Sequence, residues 1–287
     1  MKLGVSSYSF SKHYGNDFDL FNAIQFAKQT GYECIDFTDL QVPENETAEN
    51  YAERIKKAAG TAGLEVCAYT VWADFINSFD GNIEKEVQRL KGCIDIAEIL
   101  GARMLRHDVT WGFTDTGRGR SYKDAIKIAL PGILEVTGYA QGKGIRTMSE
   151  NHGYFMQDSY RMEELVISVN HSNYGLLIDI GNFICADEDP ICAVSRVAPY
   201  AFHVHAKDFI IKRGYSERPD EEWFPTRGGD FIRGTIAGHG IVPVRQCLSI
   251  LKSSGYEGAV ALEFEGTEDT LRAIKLGYDA LKKASNT

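Results

Sequence analysis

Short apolar runs rich in β-branched and aromatic residues alternate with longer amphipathic stretches from one end of the chain to the other. The short runs fall at 3–8 (LGVSSY), 33–37 (ECIDF), 64–71 (LEVCAYTV), 102–108 (ARMLRHD), 145–150 (IRTMSE), 174–180 (YGLLIDI), 201–207 (AFHVHAK) and 258–264 (GAVALEF). Such near-continuous apolar runs suit parallel strands covered on both faces. Between them, 19–30, 48–62, 83–100, 122–141, 162–170, 193–198, 244–253 and 269–283 carry helical spacing. Eight strands alternating with eight helices predict an α/β protein, a single closed (β/α)8 barrel over 1–287. No Pro- or Ser-rich linker divides it. Gly31, Gly63, Gly101 and Gly255 stand where a helix gives way to a strand, as glycine does when it ends a helix in the left-handed conformation.

One connection breaks the rhythm. Residues 208–240, between the seventh strand and the seventh helix, are too long for an ordinary loop, and a loop of that length is usually functional. The segment carries Lys212, Arg213, Tyr215, Arg218, Trp223, Phe224, Arg227 and Arg233. It is expected either to close over a polar, anionic small substrate or to be a solvated excursion or subunit contact.

Composition narrows the function. Against 31 Lys+Arg stand 40 Asp+Glu, a formal charge of −9, which argues against nucleic acid as partner because such binding rests on clustered positive charge. No stretch approaches the roughly 18 apolar residues of a membrane span, and MKLGVSSYSF lacks the apolar core of a signal peptide. A cytoplasmic protein is expected. Six scattered cysteines without a C-x-x-C pair read as reduced thiols.

In barrels of this kind the chemistry gathers at the C-terminal ends of the strands. Four successive strands end in metal-binding side chains: SENHG with Glu150 and His152, IDIGN with Asp179 and Asn182, HVHAKD with His203, His205, Lys207 and Asp208, and ALEFEG with Glu263 and Glu265. An apolar strand accepts a carboxylate only if its charge is compensated, and a divalent cation does that. Two Glu, one Asp and one His form an oxygen-rich set suited to Mn2+, with Zn2+, Co2+ and Mg2+ as alternatives. His107 and Asp108 also face the mouth, and one of His203 and His205 is expected to back the other. Tyr8, Phe10, Trp72 and Trp111 are expected either to form an apolar wall for a sugar or to pack in the core or at the rim.

The set Glu150, Asp179, His205 and Glu263, with the glycine motif Gly238-His239-Gly240, resembles the xylose-isomerase-like TIM barrels, also called AP endonuclease family 2. The resemblance runs over nearly the whole chain, and its motifs specify the superfamily better than the substrate. It implies that these four residues hold one divalent metal. It implies a sugar or sugar-phosphate isomerase/epimerase that abstracts a proton next to a carbonyl through a metal-stabilised enediolate, with Glu150 and Glu263 moving the proton on opposite faces. His152 would bind a hydroxyl or act as an acid, and Lys207 would steady the oxyanion. The partner would be a small carbohydrate; self-association is common at this size, although no residue marks an interface.

Two departures shift the expectation. Asn182 stands where many members carry a second histidine, and His239 where many carry glutamate. The first gives weight to a lyase alternative, a dehydratase or decarboxylase of an oxo-sugar, oxo-sugar acid or keto-inositol. DNA repair of the endonuclease IV type would need more histidine ligands than the chain offers. A non-catalytic sugar-binding barrel is the remaining alternative.

Overall fold

In the computed structural model, which describes residues 1–15, 17–114, 120–214 and 217–285, the predicted barrel closes. Its strands are β1 (Lys2–Ser6), β2 (Cys34–Thr38), β3 (Glu65–Val71), β4 (Met104–His107), β5 (Arg146–Glu150), β6 (Tyr174–Asp179) and β7 (Ala201–Ala206), with β11 (Ala259–Leu262) returning to pair with β1. Every neighbouring pair is parallel. Around them lie α1 (Leu20–Thr30), α2 (Ala48–Ala62), α3 (Ile83–Leu100), α4 (Tyr122–Gly142), α5 (Ser159–Val169), α6 (Pro190–Val197), α7 (Val244–Ser253) and α8 (Thr270–Ser285). Gly31, Gly63 and Gly101 close their helices at φ of 109°, 70° and 77°, values that favour a residue without Cβ. No helix among the described residues is long and apolar enough to cross a membrane.

Two helices start three residues before their predicted positions. Asp158 accepts from the backbone N–H of Arg161 and Asp189 from that of Cys192, so α5 and α6 are set by capping carboxylates ahead of their first buried apolar residues.

The barrel interior is layered by the two-residue alternation of its strands. Ala68, Met104, Met148 and Leu177 form an apolar plug inside it. One step further along three of those strands, on the same face, stand Arg106, Glu150 and Asp179. The polar layer therefore rests on a packed floor and opens at the C-terminal mouth.

The long connection is not a loop. Within it β8 (Asp208–Lys212), β9 (Phe224–Pro225) and β10 (Phe231–Thr235) form an antiparallel sheet in the order β8-β10-β9. Asp208 anchors it by accepting from the backbone N–H groups of Phe209, Gly238, Gly240 and Val242 at 2.8 to 2.9 Å. That clamp explains the glycine motif: a Cβ on Gly240 would lie 2.2 Å from the Phe209 carbonyl oxygen. His239, in the middle of the motif, is exposed.

Candidate active site

Glu150 ends β5, Asp179 ends β6, His205 lies in β7 and Glu263 follows β11. Each offers one ligand atom, and these atoms all lie within 4.8 Å of one another. All four residues are buried. The convergence of side chains spread over more than a hundred residues is a product of the closed sheet, in which strand ends from the whole chain meet at one rim.

The donor set fits a divalent cation. Asp179 Oδ2 and His205 Nδ1 are buried without a well-formed hydrogen bond, each facing a charged neighbour at 3.3 Å, Lys207 and Glu263 respectively, so both remain open to a stronger partner. Burial pushes the Asp179 carboxyl up to about 7 even with Lys207 beside it. Three carboxylates and one imidazole match the preference of hard to borderline ions for oxygen and nitrogen donors.

Two buried cations are threaded through the carboxylates. Lys207 Nζ lies 2.7 Å from Glu263 Oε2, 3.2 Å from Glu265 Oε2 and 3.3 Å from Asp179 Oδ2. Burial works to lower the lysine, but these three carboxylates outweigh it and hold the ammonium well above its ordinary range. Burial likewise works to raise Glu263, but Lys207 and His205 keep it well below the usual carboxylate range. Arg106, on β4, donates to Glu150 Oε2 at 2.7 Å and to Asp108 Oδ1 at 2.8 Å. Asn182 completes the frame, its Nδ2 donating to Glu150 Oε1 at 3.1 Å and its Oδ1 accepting from Lys207 at 3.4 Å.

His152 stands apart from the ligand set yet lines the same pocket, a cavity of about 170 Å3. Its Nδ1 lies 3.1 Å from Asp108 Oδ1. Burial works to lower the ring, and the Asp108 carboxylate outweighs it, so the histidine is raised from its ordinary value. With Nδ1 committed to Asp108, Nε2 is left to the pocket. Trp111, whose ring meets His152 edge-on at 5.0 Å, and Trp72 form the rim.

All six residues expected from the sequence, Glu150, Asp179, His205, Glu263, His152 and Lys207, come together. Where the sequence left alternatives open, Phe10 and the excursion's arginines take the structural one. Phe10 is fully buried and cannot wall a substrate. The arginines of the excursion are engaged elsewhere: Arg213 on Asp230 at 2.8 Å, Arg218 on the backbone carbonyls of Asp220 and Glu221, Arg227 on Asp158 at 2.8 Å, and Arg233 over the Trp223 ring. Lys212 is exposed, and Tyr215 lies outside the described residues. Arg106, Asn151 and Asp36 escaped the sequence reading. Asn151 pairs with the backbone of Asp179 through both its amide groups at 2.9 Å, stapling β5 to β6. The available signal was a charge inside an apolar strand, as in RMLRHD and CIDF.

A parallel eight-stranded barrel with a buried carboxylate–imidazole set at its C-terminal mouth places that set where the active sites of such barrels lie. Residues 24–284 match the family described as Xylose isomerase-like TIM barrel, and the chain belongs to that family. Inosose dehydratase of Clostridium beijerinckii is 27% identical over 144 residues, 48% of this chain and 47% of that protein. The chain thus spans about half the length of the curated relatives it matches. Among solved structures, the IOLI protein with a binding zinc atom superposes with a TM-score of 0.76 at 18% identity, covering 100% of this chain and 98% of that one. D-Psicose 3-epimerase with D-tagatose, from Clostridium cellulolyticum H10, gives a TM-score of 0.76 at 14% identity, covering 99% of both chains. At these identities the structural likeness is one of fold.

Proposed function

We propose that the protein is a metal-dependent lyase that removes water from an uncharged oxo-sugar or keto-polyol. The observation that carries this is the Asp108–His152 pair in the same pocket as the ligand set. Elimination next to a carbonyl needs one group to take the proton from the α-carbon and one to protonate the departing oxygen. Glu150 accepts from Arg106 and Asn182, and Glu263 from Lys207, so both carboxylates are occupied. His152, held at Nδ1 by Asp108, is the group whose other nitrogen is at liberty.

Glu150, Asp179, His205 and Glu263 would hold a divalent ion, with Mn2+ the first choice for so oxygen-rich a set, and that ion would supply Lewis acidity toward the substrate carbonyl. His152 Nε2 takes the α-proton as the C–H bond breaks, and its electron pair moves toward the carbonyl oxygen. The Lys207 ammonium faces the charge that develops there. The pair then returns to form the C=C bond while the C–O bond to the neighbouring carbon breaks. The His152 imidazolium gives its proton to the departing hydroxyl, which leaves as water. Arg106 holds Glu150 and Asp108, and through Asp108 the acid–base histidine, in one frame.

The pocket argues for a neutral substrate. Asp39, Asp108, Glu150, Glu263 and Glu265 line it against Arg106 and Lys207, and both cations are already paired. A phosphate or carboxylate on the substrate would meet more negative charge than positive. The relatives named inosose dehydratase support the same class.

Epimerisation is the second reading, favoured by the presence of both Glu150 and Glu263 in the pocket and by the likeness of fold to the psicose epimerase. Kinetics of His152→Gln separate the two. The lyase reading expects kcat to fall about 10²- to 10⁴-fold with metal affinity unchanged. If Glu263→Gln abolishes proton exchange with solvent while His152→Gln leaves it intact, the epimerase reading takes its place.

A further inference from the structure

The catalytic pocket has a larger neighbour. A second cavity, of about 260 Å3 against about 170 Å3, opens between the turn after β1, the excursion and the segment after β11. The two share Tyr8 and Glu265 as a common wall. The catalytic pocket alone falls short of the roughly 300–1,000 Å3 usual for small-molecule sites. The two together reach that range.

We propose that the side cavity is a subsite for a second ring carried by the substrate, an uncharged ring joined to the oxo-sugar through an ether oxygen. This rests on the lyase reading above for the identity of the reacting ring, and it adds the size and shape of what that ring bears. The chemistry of the walls fits a ring. Phe224 and Tyr8 offer apolar faces, and Ser11, Lys12, Glu221 and Glu222 offer hydrogen-bonding groups at the edge. Lys12 Nζ lies 3.3 Å from Glu222 Oε2 and 3.2 Å from the Gly266 carbonyl oxygen, tying the excursion to the barrel rim across this cavity. Aromatic faces with polar edges and a paired cation favour a neutral, hydroxylated or aromatic ring over an anion. The subsite also gives the excursion a role, since Glu221, Glu222, Phe224 and Gly234 all belong to it. Its position on the Tyr8–Glu265 side, away from His152, makes the second ring a recognition element rather than the group expelled at the histidine.

The test is calorimetric binding to the metal-loaded protein of one oxo-hexose as the free sugar and as its methyl, phenyl and glucosyl glycosides. The subsite reading expects the phenyl or glucosyl compound to bind at least about tenfold more tightly than the free sugar or methyl glycoside. Which of the two gains more distinguishes an aryl from a sugar occupant. Ser11→Trp, which fills the cavity from an exposed position, is expected to erase that gain and leave the free sugar's affinity unchanged; Phe224→Ala should reduce the gain without blocking the cavity. Equal binding of all four compounds by the wild type, or a gain that survives in a folded Ser11→Trp protein, overturns the subsite. Turnover is read separately. Ring-dependent binding without water loss would overturn the lyase reading and leave the subsite standing, and water loss from the free sugar with no gain from the ring would do the reverse.

Discussion

Asp36 Oδ2 lies 3.1 Å from His205 Nε2, and the opposite nitrogen of the same ring, Nδ1, faces Glu263 Oε1 at 3.3 Å. A carboxylate only accepts, so both ring nitrogens carry a hydrogen, and Glu263 and Asp36 together outweigh burial and hold the ring well above its ordinary value; a cation held at Nδ1 would take the place of that hydrogen while Nε2 stays with Asp36. Asp36 also accepts from His203 Nε2 at 3.2 Å, and the three side chains are sealed in the barrel interior. Burial works against the Asp36 charge, but His205 and His203 outweigh it and bring the carboxyl down to about 2. Carboxylates that orient a metal-binding histidine typically contribute about 10- to 100-fold in metal affinity. Asp36→Asn, which keeps the shape and removes the charge, is therefore expected to weaken Mn2+ binding by that factor in a competition titration with a chelating dye. Unchanged affinity would show that the ring is held by packing alone.

Lys207 offers a second handle on the ligand cluster. Its ammonium is buried among Asp179, Glu263 and Glu265, and removing one partner of a buried charge group costs about 3–5 kcal/mol because the others are left uncompensated. Denaturant unfolding of Lys207→Met should show a loss of that order in metal-free buffer, and a smaller loss with saturating Mn2+, which supplies the missing positive charge. A deficit of the same size with and without metal would mean that the ion does not sit among these carboxylates.

His107 gives a test against pH that is independent of the ligand set. Its Nδ1 lies 2.8 Å from the Asp108 carbonyl oxygen, which can only accept, and its Nε2 is buried without a hydrogen-bond partner. Burial holds the ring down at about 4, against an ordinary value of 6.5. At neutral pH the ring is uncharged in both the folded and the unfolded chain, so nothing is lost. As the pH falls below 6.5 the unfolded chain takes up a proton that the fold refuses until about 4, and stability falls across that window. The shift corresponds to about 3 kcal/mol. Wild type should lose that much more than His107→Asn between neutral pH and the lower end of the window, and parallel stability curves would count against it.

The barrel and the convergence of Glu150, Asp179, His205 and Glu263 were legible because both follow from local pattern. Apolar runs of strand length between helical stretches fix the closed sheet, and a carboxylate at the end of such a run needs compensation wherever the chain goes. What escaped depends on contacts that no local pattern encodes. Asp36 meets His205 from 169 residues away, and Arg106 reads as an ordinary strand residue until β5 brings Glu150 to it. The excursion was readable as important but not as a sheet, because the short β8 and β10 are separated by a run rich in Gly, Pro and charge. Arg213, Arg218 and Arg227 illustrate the same limit: guanidinium groups promise an anion site in sequence, and here these three bind the protein's own carboxylates and carbonyls.

A pocket that expels water from a neutral oxo-sugar or keto-polyol leaves a signature in the mass of its product. Such water loss is tested most directly by mass spectrometry of products after the Mn2+-loaded protein has been incubated in D2O with free oxo-hexoses, keto-inositols and their phosphorylated counterparts. A neutral substrate is expected to lose the mass of one water, with the loss abolished by chelator and by His152→Gln. Deuterium incorporation into an unchanged or epimerised sugar, with no water lost from any compound, would contradict it.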